Sequence, residues 1–375
     1  MIIDKRPRSE IDEYRELIKA VCSLSNLFAK SEKPYMDYRL AENLFCRCFN
    51  AENLSRSDCS VDARIEKIGI GIKTFVDNST LQKVAEFNRD SESYRNLSSI
   101  DAVKTISALR NKRLEFTRRT YNVDDMFYHC LVRGNGHVKI VENHMDFVVV
   151  DDISKVESKG NIITFTDKLC DYSFNKSKST LYKRFDCDSP LMNFDVQIHS
   201  DPFEIVRGLF DEWQIIETPV TRREYVVLPL YSLKRGVKFV SEKSGLNQWN
   251  GEGRKRSSNE VYIPVPARIR NKHPHFFPER SIEFELRLPD GVTVLSAKIC
   301  QDSGKALMTN PNSALGDWIL RKVLEVPADE IVKYSMLENL GINAVVIYKN
   351  SPLDYSIDFT YVKDEDEITD FDFSV

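Results

Sequence analysis

From Met126 to about His199 the apolar residues fall on every second position, and that rhythm excludes an all-helical fold. The runs His137-Val138-Lys139-Ile140-Val141, Phe147-Val148-Val149-Val150 and Asn161-Ile162-Ile163-Thr164-Phe165 read as strands separated by Gly or Asp turns. Upstream the rhythm is helical. Ile11, Tyr14, Ile18, Val21 and Cys22 mark a first helix, preceded by Ser9 three residues before Asp12 as a capping signal. A second runs from about Asp37, with Leu40, Leu44, Phe45 and Cys48 on one side and Glu42 beside that stripe; a third covers roughly Ile100 to Arg119. Between them lie two extended runs, Ser60 to Ala63 and Ile68 to Phe75. The second alternates, with Ile68, Ile70 and Ile72 on one face and Gly69, Gly71 and Lys73 on the other. Asn78-Ser79-Thr80 is then expected to cap a helix through Phe87. After a helix and connector over Asp201 to Pro219, a second β-rich stretch begins beyond Tyr225, with strands near Val226–Leu230, Val261–Val265, Ile282–Leu288, Thr293–Lys298 and Ala344–Tyr348. The expected class is α+β, in two domains, 1–221 and 222–375.

With 375 residues the chain can bury a core without disulfide or metal staples. Its 53 Lys and Arg against 57 Asp and Glu leave a formal charge of -4, so bulk charge does not announce a nucleic-acid binder; a local basic face remains open. The acidic run from Asp364 to Asp372 reads as a solvated tail. None of the eight cysteines is in Cys-x-x-Cys spacing and the chain does not open with a signal peptide, so reduced thiols in the cytoplasm are expected. No apolar run is long enough to cross a bilayer.

Cleavage of a phosphodiester with a metal needs carboxylates to hold a divalent cation and a lysine near the attacking water or the phosphate. Asp62 opens one extended run and Lys73 lies late in the next, so a hairpin can bring them to one edge. A second acid two residues before the lysine would share its face, but that position is Gly71. Glu86, on the expected following helix, is the candidate replacement; Glu42 is a further ligand candidate, and Glu66 and Asp77 are rivals. A second constellation is polar, glycine-punctuated and basic: Asn247, Gln248, Trp249, Asn250, Arg254, Lys255 and Arg256. Asn and Gln can bond adenine edges in two places, while Arg and Lys suit guanine or phosphate. A third mixes Lys298, Gln301, Asp302, Lys305 and Asn310 around a turn at the end of a strand. The six histidines form no ligand set, and neither a nucleophile elbow nor a phosphate-binding glycine loop is present.

The phrases SGLNQWNGEGRKRSSNEVYIPVP and LSAKICQDSGKALMTNPNSALGDWILRKVL resemble the C-terminal DNA-binding domain of certain type II restriction endonucleases, a pseudobarrel also used by a class of plant transcription factors. The resemblance covers about residues 225 to 362. It implies two loop arms in the major groove, Asn247 to Arg256 and Lys298 to Lys305. The His-x-Lys motifs of the phospholipase D-type nucleases found in some members are missing. Residues 1 to about 200 instead resemble a divergent PD-(D/E)xK nuclease, in SVDARIEKIGIGIKTF, QKVAEFN and FNKSKSTLYKRF. Some restriction enzymes of that fold move the second acid from strand to helix, at a separation like that of Lys73 and Glu86. The resemblance therefore implies a restriction-endonuclease-like core with added antiparallel strands, followed by the pseudobarrel. It implies a type II site-specific deoxyribonuclease using Mg2+, with Asp62, Lys73 and Glu86 catalytic and Asp62, Glu86 and Glu42 on the metal. Double-stranded DNA would be the partner, a homodimer one way to cut both strands, and a cognate DNA methyltransferase the functional counterpart. A sequence-specific DNA-binding protein with an inactive nuclease-like domain is the alternative, motivated by Gly71. An RNA-processing nuclease fits less well, because the RNA major groove is too narrow for such arms.

Overall fold

A computed structural model of the chain describes residues 1–375 apart from 56, 213–223, 244, 281, 302–303 and 364–375. The expected acidic tail, Asp302 and the boundary expected at 221/222 therefore lie outside the described residues. The chain groups into two compact units, 1–114 with 123–219, and 115–122 with 220–375.

The first unit opens with helices α1 (Arg8–Ser23) and α2 (Tyr38–Cys48). Ser9 does not cap α1, which starts one residue earlier with Pro7 at the N-cap; α2 does start at Asp37, whose carboxylate accepts from the Arg39 and Leu40 amides at 2.9 and 3.4 Å. Then come β1 (Glu52–Asn53), β2 (Ala63–Ile65), β3 (Ile68–Val76), β4 (Leu81–Glu86), a single turn α3 (Ser91–Tyr94) and the long α4 (Ser99–Tyr121). β5 (Asp125–Gly134), β6 (His137–His144), β7 (Ser154–Lys159), β8 (Ile162–Thr166), β9 (Asp171–Asn175), β10 (Thr180–Arg184), β11 (Met192–Asp195) and α5 (Pro202–Glu212) follow. Six strands form one sheet in the order β1-β2-β3-β5-β6-β11. β3 and β5 pair in parallel, as the intervening α4 crossover allows. Ile70 and Ile72 face α1 and α2, joining Tyr14, Ile18, Phe45, Leu131 and Ile140 in one core. A second, antiparallel sheet runs β4-β10-β9-β8-β7 and packs Ile163, Phe174 and Leu181 against Val103 and Ile106 of α4.

Two further expectations fail here. Residues 81–86 form a strand, not a helix: β10 takes the register Thr180↔Glu86 to Arg184↔Leu81, and that ladder overrides the local helix signal. Residues 147–149 make no strand either. The Asn111 side chain takes both backbone groups of Val148, donating to its carbonyl at 2.8 Å and accepting from its amide at 2.9 Å, in place of a neighbouring strand.

The second unit contains β12 (Tyr225–Pro229), the hairpin β13 (Ser232–Lys234) and β14 (Val237–Phe239), β15 (Ile263–Pro264), α6 (Ala267–Lys272), β16 (Glu283–Arg287), β17 (Val294–Cys300) and β18 (Ala306–Asn310). A turn α7 (Ala314–Gly316) runs into a wide helical segment, Asp317–Val323, before α8 (Tyr334–Leu340), β19 (Ala344–Ser351) and β20 (Asp354–Thr360). Seven strands ordered β12-β19-β20-β16-β17-β18-β15 curl into a nearly closed barrel, antiparallel except for β16 with β20. Ile263, Leu286, Ile299, Leu307, Ile347 and Ile357 are buried, one side of the alternation in each strand. The fold is thus mixed helix and sheet with a C-terminal barrel-like sheet, as expected. Among the described residues no helix is long and apolar enough to cross a membrane.

Candidate active site and nucleic-acid surface

Asp62 is locked to the start of the β2/β3 hairpin. Its amide donates to the Ile70 carbonyl at 2.8 Å, and its Oδ2 accepts from the Ile72 amide at 2.7 Å. Burial pushes its carboxyl above the usual carboxylate range, against the pull of Lys73, the Ile72 amide and Arg39. Lys73 lies further along β3, half-buried. Glu42 arrives from α2, which packs on β3's isoleucine face, and is 4 % exposed. Burial raises its carboxyl, the charge of Asp62 raises it further, and Arg39 and the Ser55 hydroxyl oppose the shift. Arg39 Nη1 stands 3.1 Å from Glu42 Oε2 and donates to the Ser55 carbonyl at 2.7 Å.

Two carboxyls that burial raises, one of them raised further by the other's charge, gain from a bound cation as they would from a proton. Their donors are hard carboxylate oxygens, the type Mg2+ takes, without the His or Cys of a zinc site. Among the described residues no three His, Cys, Asp or Glu side chains gather into a metal cage.

Glu86 does not join this cluster. It lies on β4 of the second sheet rather than on a helix, is exposed, and accepts from Lys83 and Asn88. Nor is there a vacated space for it beside Lys73. A Cβ on Gly71 would stand 2.7 Å from Met145 Cε and 3.1 Å from Tyr128 Cδ1, so the methionine methyl and the tyrosine ring fill the position. The same packing explains why the strand carries no acid there. Of the rivals, Glu66 turns the β2/β3 connection with φ 51° and is exposed, and Asp77, past the end of β3, is held low by Lys33 at 2.8 Å. Glu42 was the acid marked by its position: a carboxylate beside an apolar helix stripe must be buried with a partner. Arg39 escaped notice, although its spacing of three from Glu42 on one helix was the available signal.

In the barrel, Asn247 is fully buried, in the turn Gly245–Asn250. It donates to the carbonyls of Ser241 and Val332 at 2.9 and 3.0 Å and accepts from the Val332 amide at 2.8 Å. It is a structural tie, not a groove contact, because both ends of its amide are spent inside the protein. Asn250 donates to the Glu242 carbonyl at 2.8 Å. Gln248 and Trp249 are half-buried; Gln248 Oε1 and Trp249 Nε1 are enclosed without a hydrogen-bond partner among the described residues. Arg254 and Arg256 converge on buried Glu260, and Arg256 also caps the Gly251 and Glu252 carbonyls at 2.8 and 3.0 Å. Lys255, between them, points its charge outward. On the other side, Lys298 is half-exposed on β17, and Gln301 and Lys305 are exposed. Asn310, at the exposed end of β18, donates to Glu283 at 2.8 Å, and Ser296 does the same.

Residues 225–351 match the family model of the NgoFVII C-terminal B3-like DNA-binding domain, a module of restriction enzymes. The match opens at β12 and closes at the end of β19, within the barrel. None of the curated proteins compared with the chain matches it.

Proposed function

We propose that this chain is a type II restriction endonuclease: the barrel binds a specific sequence of double-stranded DNA, and the first unit hydrolyses its phosphodiesters. The observation that carries the reading is the match of residues 225–351 to a restriction-enzyme DNA-binding domain. The position of Asp62, interacting with Glu42 on one side and Lys73 on the other, supports the nuclease half. Asp62 and Glu42 would hold Mg2+, with Arg39 as their counter-charge when the cation is away. Bound there, Mg2+ lowers the pKa of a coordinated water and offsets charge growing on the phosphate. The Ile72 amide fixes the direction of Asp62. Lys73 orients the water or the phosphate. Lys255, Lys298, Gln301, Lys305 and Asn310 present polar groups to the duplex, while Arg254 and Arg256 brace their loop through Glu260. A homodimer would supply one such centre per strand, and a methyltransferase of the same specificity would protect the host sequence.

Purified protein incubated with mixed-sequence plasmid and magnesium should give discrete fragments, and EDTA should suppress them. Lys73→Ala should abolish cutting while leaving DNA affinity intact. Undiminished cutting in EDTA would overturn the metal reading. The glycine at position 71 favours a second reading, a sequence-specific DNA-binding protein with an inactive nuclease-like unit. Specific binding without cleavage under any divalent metal would decide for it.

A further inference from the structure

A cavity of about 280 Å3 opens in the first unit between the β9/β10 hairpin tip and the segment around α3. Asn88, Ser91, Arg95, Lys176, Ser177 and Ser179 line it, over the buried ring of Tyr94. Its walls are fixed. Tyr94 Oη donates to the Phe87 carbonyl at 3.1 Å, and its ring meets Phe174 edge-on at 5.2 Å. The Phe87 amide donates to the Ser179 carbonyl at 2.7 Å, joining the two walls. Ser179 holds φ 50°, and Asn175 Oδ1 gathers the Ser177 hydroxyl at 2.8 Å and the Lys178 amide at 3.0 Å. The Lys176 amide is tied to the Asn161 carbonyl at 2.8 Å.

The charges inside are not balanced by these walls. Among the described residues neither the Arg95 guanidinium nor the Lys176 ammonium has a hydrogen-bond or ion-pair partner. Of the acids on the same segment, Asp90 is engaged with Arg113 at 2.7 Å and Glu86 with Lys83 and Asn88, while Glu92 is exposed on α3 and does not line the cavity. A polar hollow with two cations that have no partner in its walls, and the Ser91 hydroxyl beside them, suits a tetrahedral oxyanion.

We propose that this cavity binds a phosphate group, specifically one backbone phosphate of the nucleic acid held by the protein, outside both the barrel and the Asp62–Glu42 pair. The proposal rests on the DNA-binding reading above. No base edge is needed at such a contact, so it adds affinity without adding sequence preference.

Anisotropy of a labelled mixed-sequence duplex, titrated at several salt concentrations, tests the assignment in the full chain. The double variant Arg95→Ala with Lys176→Ala should reduce the salt slope by about 0.9, the loss of one neutralised phosphate, and weaken specific and random duplexes equally. The charge-keeping pair Arg95→Lys with Lys176→Arg should restore the slope, which a mere folding defect would not allow. Lys255→Ala with Lys305→Ala in the barrel serves as comparator and should erode the preference for the specific duplex. A cavity variant with unchanged slope beside a barrel variant with lost preference overturns the cavity alone. A reduced slope beside a barrel variant whose specific and random binding stay in the same ratio supports the cavity and refutes the barrel reading. If inorganic phosphate raises the melting midpoint of the wild type only, while the duplex slope is unchanged, the hollow is a free-anion site and the backbone assignment is wrong.

Discussion

Replacing Gly71 by alanine probes whether the position beside Lys73 is empty or filled. The added Cβ would meet Met145 Cε at 2.7 Å and the Tyr128 ring at 3.1 and 3.3 Å, where ordinary contact starts at 3.4 Å. The methionine methyl must retreat by at least 0.7 Å (3.4 − 2.7), which a flexible thioether can do. The tyrosine has less freedom, because it opposes Gly71 in the β3/β5 register and packs edge-on against Phe185 at 5.0 Å. Overpacking of this kind costs about 1–3 kcal/mol, and the loss of a glycine from the unfolded chain returns about 0.4–1 kcal/mol. The net destabilisation is about 1–2 kcal/mol, or a fall of about 2–8 °C in melting midpoint. Circular dichroism of Gly71→Ala, Met145→Ala and the double variant closes a thermodynamic cycle. Since the two side chains compete for one space, the double variant should be more stable than the sum of the singles by at least about 0.5 kcal/mol. Strict additivity would refute the filled-position argument. So would a Gly71→Asp protein that keeps wild-type stability and cuts DNA faster, since it would show room for the acid on the strand.

Asp62→Asn and Glu42→Gln should each abolish the rise in melting midpoint that magnesium gives the wild type; at a hundred times Kd that rise corresponds to about 2.7 kcal/mol. Retention of the full rise in both variants would remove the pair from the metal site. The same pair sets a pH dependence. Burial raises both carboxyls, so the metal-free fold favours their protonated forms; this contribution is full below the ordinary carboxylate range and is lost as pH rises through their elevated values. Urea midpoints in EDTA should therefore fall more for the wild type than for Asp62→Asn across that window, and parallel curves would contradict the assignment. Asn247→Ala should cost the barrel about 1–3 kcal/mol by stranding the Val332 amide and carbonyl, read in urea unfolding of the full chain; a neutral effect would mean that water replaces the amide.

What the sequence conveyed about the fold followed from how local each signal was. The apolar stripe of α1, the Asp37 cap of α2 and the glycine alternation of β3 are readable within a dozen residues, and each appears in the structure. β4 was not readable, because Asn78-Ser79-Thr80 followed by Leu81, Val84 and Ala85 suits a helix start as well as a turn and a half-buried strand. Its partner β10 lies about a hundred residues away, and only that partner decides. β20 differs: it pairs with the adjacent β19 and only its parallel neighbour β16 is far upstream, with Tyr355, Ile357 and Phe359 facing the core.

The site divides along the same line. Asp62 and Lys73 were legible because the hairpin that joins them is short, and a β2/β3 register fixes both from a few residues. The third group was less so: of the acids at 42, 66, 77 and 86 only Glu42 carries a local mark, its place beside the apolar stripe of α2, and nothing local ties it to Asp62. What ranks them is which face of the sheet each one reaches. α2 lies on the isoleucine side of β3 and brings a buried carboxylate to the Asp62 end, whereas β4 leaves for another sheet and takes Glu86 with it. The glycine at 71 left open whether the place beside Lys73 is empty or filled. Met145, brought in from the end of β6, occupies the place, so the compensating charge has to approach from the helical side of the hairpin. Glu42 thus reaches Asp62 only through tertiary packing, with α2 holding its carboxylate there against the cost of its own burial.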